Sequence, residues 1–147
     1  MDELALDVEF LNRICEMPIV AEPRAAYGSS SRGFRDLRVW QAGMDLVESC
    51  YRASQSFPSS EQFGLTSQLR RAAISVTANL AEGWGRNTQL EFARFVDMSH
   101  GSLCEVESLA EVSNRLKYMS EESLAKIVKE ANAVGAMQYR LRTKLRS

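Results

Sequence analysis

From Ser59 to Ser147 the chain contains no proline, and no Asn-Gly or Asp-Gly pair occurs anywhere in it. Hairpin-built folds need such turn residues at short intervals, whereas a long helix needs proline kept out of its interior. The chain is therefore restricted to long helices joined by few connections.

Apolar spacing marks four of them. The first, about 37–57, carries Trp40, Met44, Val47 and Tyr51 on one stripe and Leu46, Cys50, Ala53 and Phe57 on a neighbouring one, with Asp45, Glu48 and Arg52 on the remaining face. Pro58 ends it. Ser59, with Gln62 three positions on, offers a capping-box start for the second helix, which runs to about Gly83 and turns Leu65, Leu69, Ala73, Val76 and Leu80 to the core. Gly83 and Gly85 supply its stop. The sharpest local signal follows: Thr88-Gln89-Leu90-Glu91 matches a T-x-x-E capping box. It opens a third helix, about 89–117, with Phe92, Val96, Leu103, Val106 and Ala110 on one face and Met98, Leu109 and Leu116 along a second line. Ser120 caps the fourth, which runs to about 145 behind Glu121 and Glu122, acids that complement the positive end of the helix dipole. Leu124, Ile127, Val128, Ala131, Val134, Leu141 and Leu145 form its apolar face.

Composition sets the frame around these helices. At 147 residues, 45% apolar and 25% charged, the chain suits one ordinary domain with a core. Residues 1–33 stand apart as an extension, with Pro18, Pro23 and a Gly28–Gly33 linker run, although residues 3–16 have the spacing of a short amphipathic helix. Residues 34–147 form the domain. Connections of two to six residues favour antiparallel neighbours, so the expected fold is all-α, an antiparallel up-down-up-down four-helix bundle. Three cysteines at wide spacings and an acidic amino terminus point to reduced thiols in a cytoplasmic protein, and no stretch is apolar enough for a membrane.

The first three helices carry apolar residues beyond the single stripe a lone bundle needs, which argues for self-association into a homo-oligomer. Gly43, Ala78 and Gly101 are small enough to let backbones approach at such a contact. The alternative is a broad core with scattered exposed apolar atoms, as monomers have.

Net charge is only −1, so any electrostatic case for nucleic acid depends on clustering. Arg70, Arg71, Arg86 and Arg94 are one candidate phosphate-binding group; pairing with Glu82, Glu105 or Glu107 explains the same arginines. Lys126, Lys129, Arg140 and Lys144, joined by Arg142 and Arg146, form a second candidate on the polar side of the fourth helix, where a solvated face serves equally well. Trp40, Tyr51, Phe92 and Phe95 fall on core stripes, so base stacking is not expected. Asn79, Glu82, Ser75, Ser102 and Glu105 suit a structural polar network near the core. Glu82 and Glu105 show no pattern of a catalytic carboxylate pair. His100 and Cys104 share a helix face, as a metal fragment or a Cys-His nucleophile would. Zinc needs more ligands and no third group orients the imidazole, leaving an ordinary histidine and an inert buried thiol; no cofactor or metal is expected. Gly83-Trp84-Gly85 lacks the preceding strand and third glycine of a phosphate-binding loop.

The order Phe34-Arg35-Asp36-Leu37-Arg38-Val39-Trp40, then Phe63-Gly64-Leu65 through Arg70-Arg71-Ala72-Ala73, then Ser75 to Arg86, then Gly101-Ser102-Leu103-Cys104-Glu105-Val106-Glu107, resembles the four-helix bundle family of bacterial 23S ribosomal RNA intervening-sequence proteins. That family includes the accessory variability determinants of diversity-generating retroelements. The resemblance covers about residues 34–147, and the run Gly64–Arg86 is its most specific part. It implies a cytoplasmic bundle that assembles into a barrel-like homopentamer without enzymatic activity. For the retroelement members it implies a basic surface contacting RNA or DNA and a reverse transcriptase partner. The chain departs from the pattern in its extension and in Thr77, where proline is frequent. The resulting expectation is a non-enzymatic oligomeric scaffold for structured nucleic acid or a protein partner, with a purely structural interaction module as the alternative.

Overall fold

The computed structural model describes residues 33–147, so the expectations for the extension, Cys15 included, lie outside the described residues. A 3-10 turn, Gly33–Asp36, leads into α1 (Arg38–Ser54); α2 (Leu65–Trp84), α3 (Gln89–Arg115) and α4 (Glu121–Arg146) follow, and no strand occurs among the described residues. Four helices and an all-α bundle are as expected.

Each helix packs on two others: α1 on α2 and α4, α3 on α2 and α4, with the α2–α3 seam the most extensive. Leu46, Cys50, Leu69, Ala73, Val76, Leu80, Val96, Val106, Ala110, Ala131 and Val134 are sealed within, in agreement with the core stripes expected for all four helices. In α1 the core takes the Leu46–Cys50 line. Of the Trp40–Tyr51 line, Trp40 and Val47 pack half-buried against it, while Met44 and Tyr51 are each 38% exposed.

Two boundaries differ from the sequence expectation. The helix α1 ends at Ser54, and the connection from Gln55 to Gly64 is longer than the two to six residues expected, holding a second 3-10 turn at Ser59–Glu61. Ser59 caps no helix there. Glu61 does the equivalent work, its Oε2 accepting from the Leu65 N–H at 3.0 Å as α2 begins. The α2 end is as expected, at Trp84 with Gly85 as C-cap, and Gly83, one residue short of that end, is buried. The Thr88 box forms as expected, with Thr88 Oγ1 accepting from the Glu91 N–H at 3.1 Å, and Ser120 Oγ likewise accepts from the Ser123 N–H. The α3 terminus closes in a Schellman turn, Tyr118 N–H to Ser113 O and Lys117 N–H to Asn114 O, with Lys117 at φ 65° where glycine is usual.

Gly83 is present because nothing larger fits. A Cβ there would stand 2.6 Å from Phe95 Cβ and 2.7 Å from the Phe92 ring, so the end of α2 meets α3 backbone to aromatic. Gly43 plays the same part between α1 and α2, against Thr77 Cγ2, and so serves the bundle itself rather than a contact between copies. Along the seams, partner numbers fall as the helix number rises: Gly43 meets Thr77 and Ser54 meets Arg70; Ser75 meets Ser102 and Gly83 meets Phe92; Leu103 meets Gly135 and Asp97 meets Arg142.

Serine and glutamine side chains inside these seams are paired. Ser99 donates to the Val76 carbonyl at 2.7 Å and accepts from Gln138 Nε2 at 2.8 Å, joining α2, α3 and α4. Between α1 and α4, Ser49 donates to Glu130 Oε1 at 2.9 Å, while Glu130 Oε2 is buried without a partner. Burial holds the Glu130 carboxyl above the usual carboxylate range, opposed by the Ser49 bond and Lys126 and reinforced by Asp45. Burial, with Glu130 beside it, also pushes the Cys50 thiol up to about 12.

Gly83→Ala should therefore destabilise the fold by about 1–3 kcal/mol despite alanine's better helix propensity, because overpacking outweighs it. Gly101→Ala, where a Cβ meets nothing within 4 Å, should stabilise by roughly 0.5–1 kcal/mol. Urea denaturation of the two variants checks the contrast. Because the Glu130 carboxyl is raised in the folded state, that state keeps its proton to higher pH than the unfolded chain, and its contribution to stability is lost as pH rises from about 4.5. Glu130→Gln should remove this loss, so the variant gains on the wild type between pH 4 and 7 in thermal denaturation, and a constant difference would contradict it.

Candidate nucleic-acid and assembly surfaces

Helix α4 brings Lys126, Lys129, Arg140 and Lys144 onto one arc, since their spacings return to the same azimuth at 3.6 residues per turn. The ridge is not continuous. Ala133 and Met137 occupy the intervening turns, separating Lys129 from Arg140 by about 16 Å along the axis. Lys126 and Lys129 stand over a groove of about 460 Å³ between α1 and α4, floored by Ala42, Ala133 and Met137 and edged by Asp45 and Glu130. Acidic groups thus neutralise part of that end. Arg142 and Arg146 do not join the ridge: both turn to Asp97 on α3, Arg142 Nη1 at 2.9 Å from Oδ1 and Arg146 Nη2 against Oδ2. A pair of cations held by one carboxylate fastens α4 to α3 and is spent on the fold.

The four arginines of α2 and α3 form no single cluster. Arg70 turns toward α1, where its Nε donates to Ser54 Oγ at 2.8 Å and its guanidinium lies 4.6 Å from the centre of the Tyr51 ring. Arg86 pairs with Glu82 at 2.7 Å and stacks 4.5 Å above Phe95. Arg71 and Arg94 are exposed on separate helices. Arg86 thus pairs with Glu82 as expected, but locally at the end of α2 rather than across the bundle. The aromatic reading needs correcting. Tyr51 is exposed and Phe95 only half-buried, each lying beneath an arginine, because a cation over a ring face partly shields a ring that the core does not take.

The polar network is smaller than expected. Asn79 Nδ2 donates to the Ser75 carbonyl and to Ser75 Oγ, at 2.8 and 3.0 Å, and Ser75 Oγ meets Ser102 Oγ at 2.8 Å across the α2–α3 seam. Glu82 and Glu105 stay outside it. Glu82 is turned to Arg86, and Glu105 is exposed on the side of α3 away from Leu103, Val106 and Ala110.

Nine large apolar side chains are notably exposed among the described residues, and eight of them belong to the first three helices or their flanking connections: Met44, Tyr51, Phe63, Ile74, Leu90, Met98, Val112 and Leu116. On α4 only Tyr139 is of this kind. Ile74 and Ala78 of α2 stand level with Met98 and Gly101 of α3, by the register that sets Val76 against Ser99 and Ser75 against Ser102. Ile74 lies toward the α1 side of the outer face of α2 and Met98 on the outer face of α3, so each helix exposes its own apolar residue there.

His100 and Cys104 also differ from expectation. Cys104 is exposed rather than buried, and His100 has an orienting partner, Gln138, which sequence separation hid and no local motif announces. Glu107, beside His100, is held above the usual carboxylate range by burial. Among the described residues no three metal-ligating side chains gather, and no helix is long and apolar enough to cross a membrane.

No curated protein matches the chain significantly. A solved structure of a protein of unknown function from the S23 ribosomal protein family of Bacteroides thetaiotaomicron superposes with a TM-score of 0.64 at 15% identity, covering 74% of this chain and 99% of that one. At that identity the likeness is one of fold. The family model described as 23S rRNA-intervening sequence protein matches residues 35–140, from the turn before α1 to the Arg140 end of the basic ridge. By that match over most of its length, the chain belongs to the 23S rRNA-intervening sequence protein family.

Proposed function

We propose that this protein is a non-enzymatic scaffold: an up-down-up-down four-helix bundle whose copies assemble through the outer faces of α1–α3 and present α4 to structured nucleic acid. The observation that carries the reading is the division of the surface. Exposed apolar side chains are concentrated on the first three helices, and the Lys126–Lys144 ridge lies on the fourth. Apolar area left in water costs free energy that docking recovers, whereas lysines on an exposed arc release counterions when they meet phosphates. The opposed running of partner numbers along each seam supports the alternating topology. A closed ring of five, as the family resemblance implies, would satisfy every copy with one repeated contact.

Light scattering at micromolar concentration should show an oligomer of defined size. Met98→Glu, which sets a charge on the exposed face of α3, should shift it toward monomer with helix content unchanged, and a monomeric wild type would remove the proposal. Binding of a structured RNA should weaken steeply with salt. Replacing Lys126 and Lys144 together by alanine should weaken it across sequences alike and lower the salt slope by about 1 for each lysine that meets a phosphate. An oligomer that binds no RNA or duplex DNA at low salt supports the alternative of a structural protein–protein module.

A further inference from the structure

Assembly and the basic ridge leave one arrangement unused, a line of polar contacts from the interior to an exposed thiol. Its hydrogen positions follow from donor counting. The Val76 carbonyl can only accept, so the single Ser99 hydroxyl proton goes to it at 2.7 Å. Ser99 Oγ must then accept from Gln138 Nε2 at 2.8 Å, which fixes the amide's orientation. Gln138 Oε1 can only accept, so the hydrogen in its 3.0 Å contact with His100 lies on Nδ1. The other ring nitrogen, Nε2, is left with its lone pair, and it faces Cys104 Sγ at 3.8 Å, within the reach of a sulfur hydrogen bond. Ser99 and Gln138 are 0% and 1% exposed, so water does not scramble the line, while Cys104 at its end is open to solvent.

A thiol, a base and a third group that holds the base's tautomer are the parts an activated cysteine needs. We propose that Cys104 is a reactive thiol for low-molecular-weight disulfides, with His100 as its proton acceptor and Gln138 as the positioning residue. In the step, the Cys104 S–H proton passes to His100 Nε2 and the sulfur attacks one sulfur of the disulfide R–S–S–R. A Cys104–S–S–R bond forms as the R–S–S–R bond breaks. The departing thiolate takes the proton back from the imidazolium and leaves as R–SH, so Cys104 is oxidised and half of the disulfide is reduced. Cys50 does not resolve the product, being fully buried with its thiol pushed up to about 12. Among the described residues no other cysteine resolves the adduct, so in a chain carrying Cys15→Ser it persists on the flank of α3 turned toward α4 until an external thiol removes it.

The test uses the full chain carrying Cys15→Ser and the aromatic disulfide dithiobis-nitrobenzoate. The expected result is one equivalent released per chain, mapped to Cys104 by mass spectrometry, at a rate at least about tenfold above that of an unstructured cysteine peptide. His100→Ala should return the rate to that of the peptide. His100 is the only histidine, so its ring nitrogens give one unambiguous set of NMR signals, and the Nδ1–H form should dominate in the unmodified fold. A peptide-like rate in the parent chain, a rate unchanged by His100→Ala, or a dominant Nε2–H ring would each overturn the proposal. Gln138→Leu is read by the same signals: loss of Nδ1–H dominance with helix content retained supports the positioning role, and a ring that keeps the Nδ1–H form refutes it.

Discussion

The seam between α2 and α3 is the contact on which the other positions depend. Gly83 lets the end of α2 approach Phe92 and Phe95, and from there the spacing of the two helices is set by short residues and short hydrogen bonds: Ser99 to the Val76 carbonyl, Ser75 to Ser102. Close approach and polar pairing reinforce each other, because a buried hydroxyl is tolerated only where an acceptor lies within reach. A pair of helices locked in this way fixes which residues face outward. Ile74, Ala78, Met98 and Gly101 are exposed while Val76 and Ser99 are turned inward.

Much of the architecture was legible in the sequence because helix formation here is a local matter. The absence of proline, the Thr88 box and the 3.6-residue spacing of leucines and valines each act over a few residues, and the core stripes followed from them. What was missed involves partners distant in sequence. Gly83 reads as a stop signal unless Phe92 and Phe95 are known to press on it. Ser59 looks like a cap, but the backbone there turns too tightly, and Glu61 reaches Leu65 instead. Among the candidate surface residues, a helical wheel placed Lys126 and Lys144 together but could not reveal that Arg142 and Arg146 share Asp97, or that Arg70 and Arg86 cover rings. The His100–Gln138 contact spans two helices and is invisible to any local pattern.

The two sides of the bundle are built on different chemistry. Between α2 and α3 polar groups are neutral and fully paired. Between α1 and α4 the Glu130 carboxyl is half-satisfied, a thiol lies beside it, and the groove above is edged by Asp45 and Lys126. Uncompensated charge inside a fold costs stability and is retained only where geometry leaves no neutral substitute or where something outside completes it.

Gly101 gives the outer wall of α3 a place where no side chain stands between main chain and surroundings. A body settling there is met by peptide units and is judged by contour instead of polarity. In an assembly seated on this wall, a second helix would come nearer the α3 main chain at Gly101 than at a turn that carries a side chain.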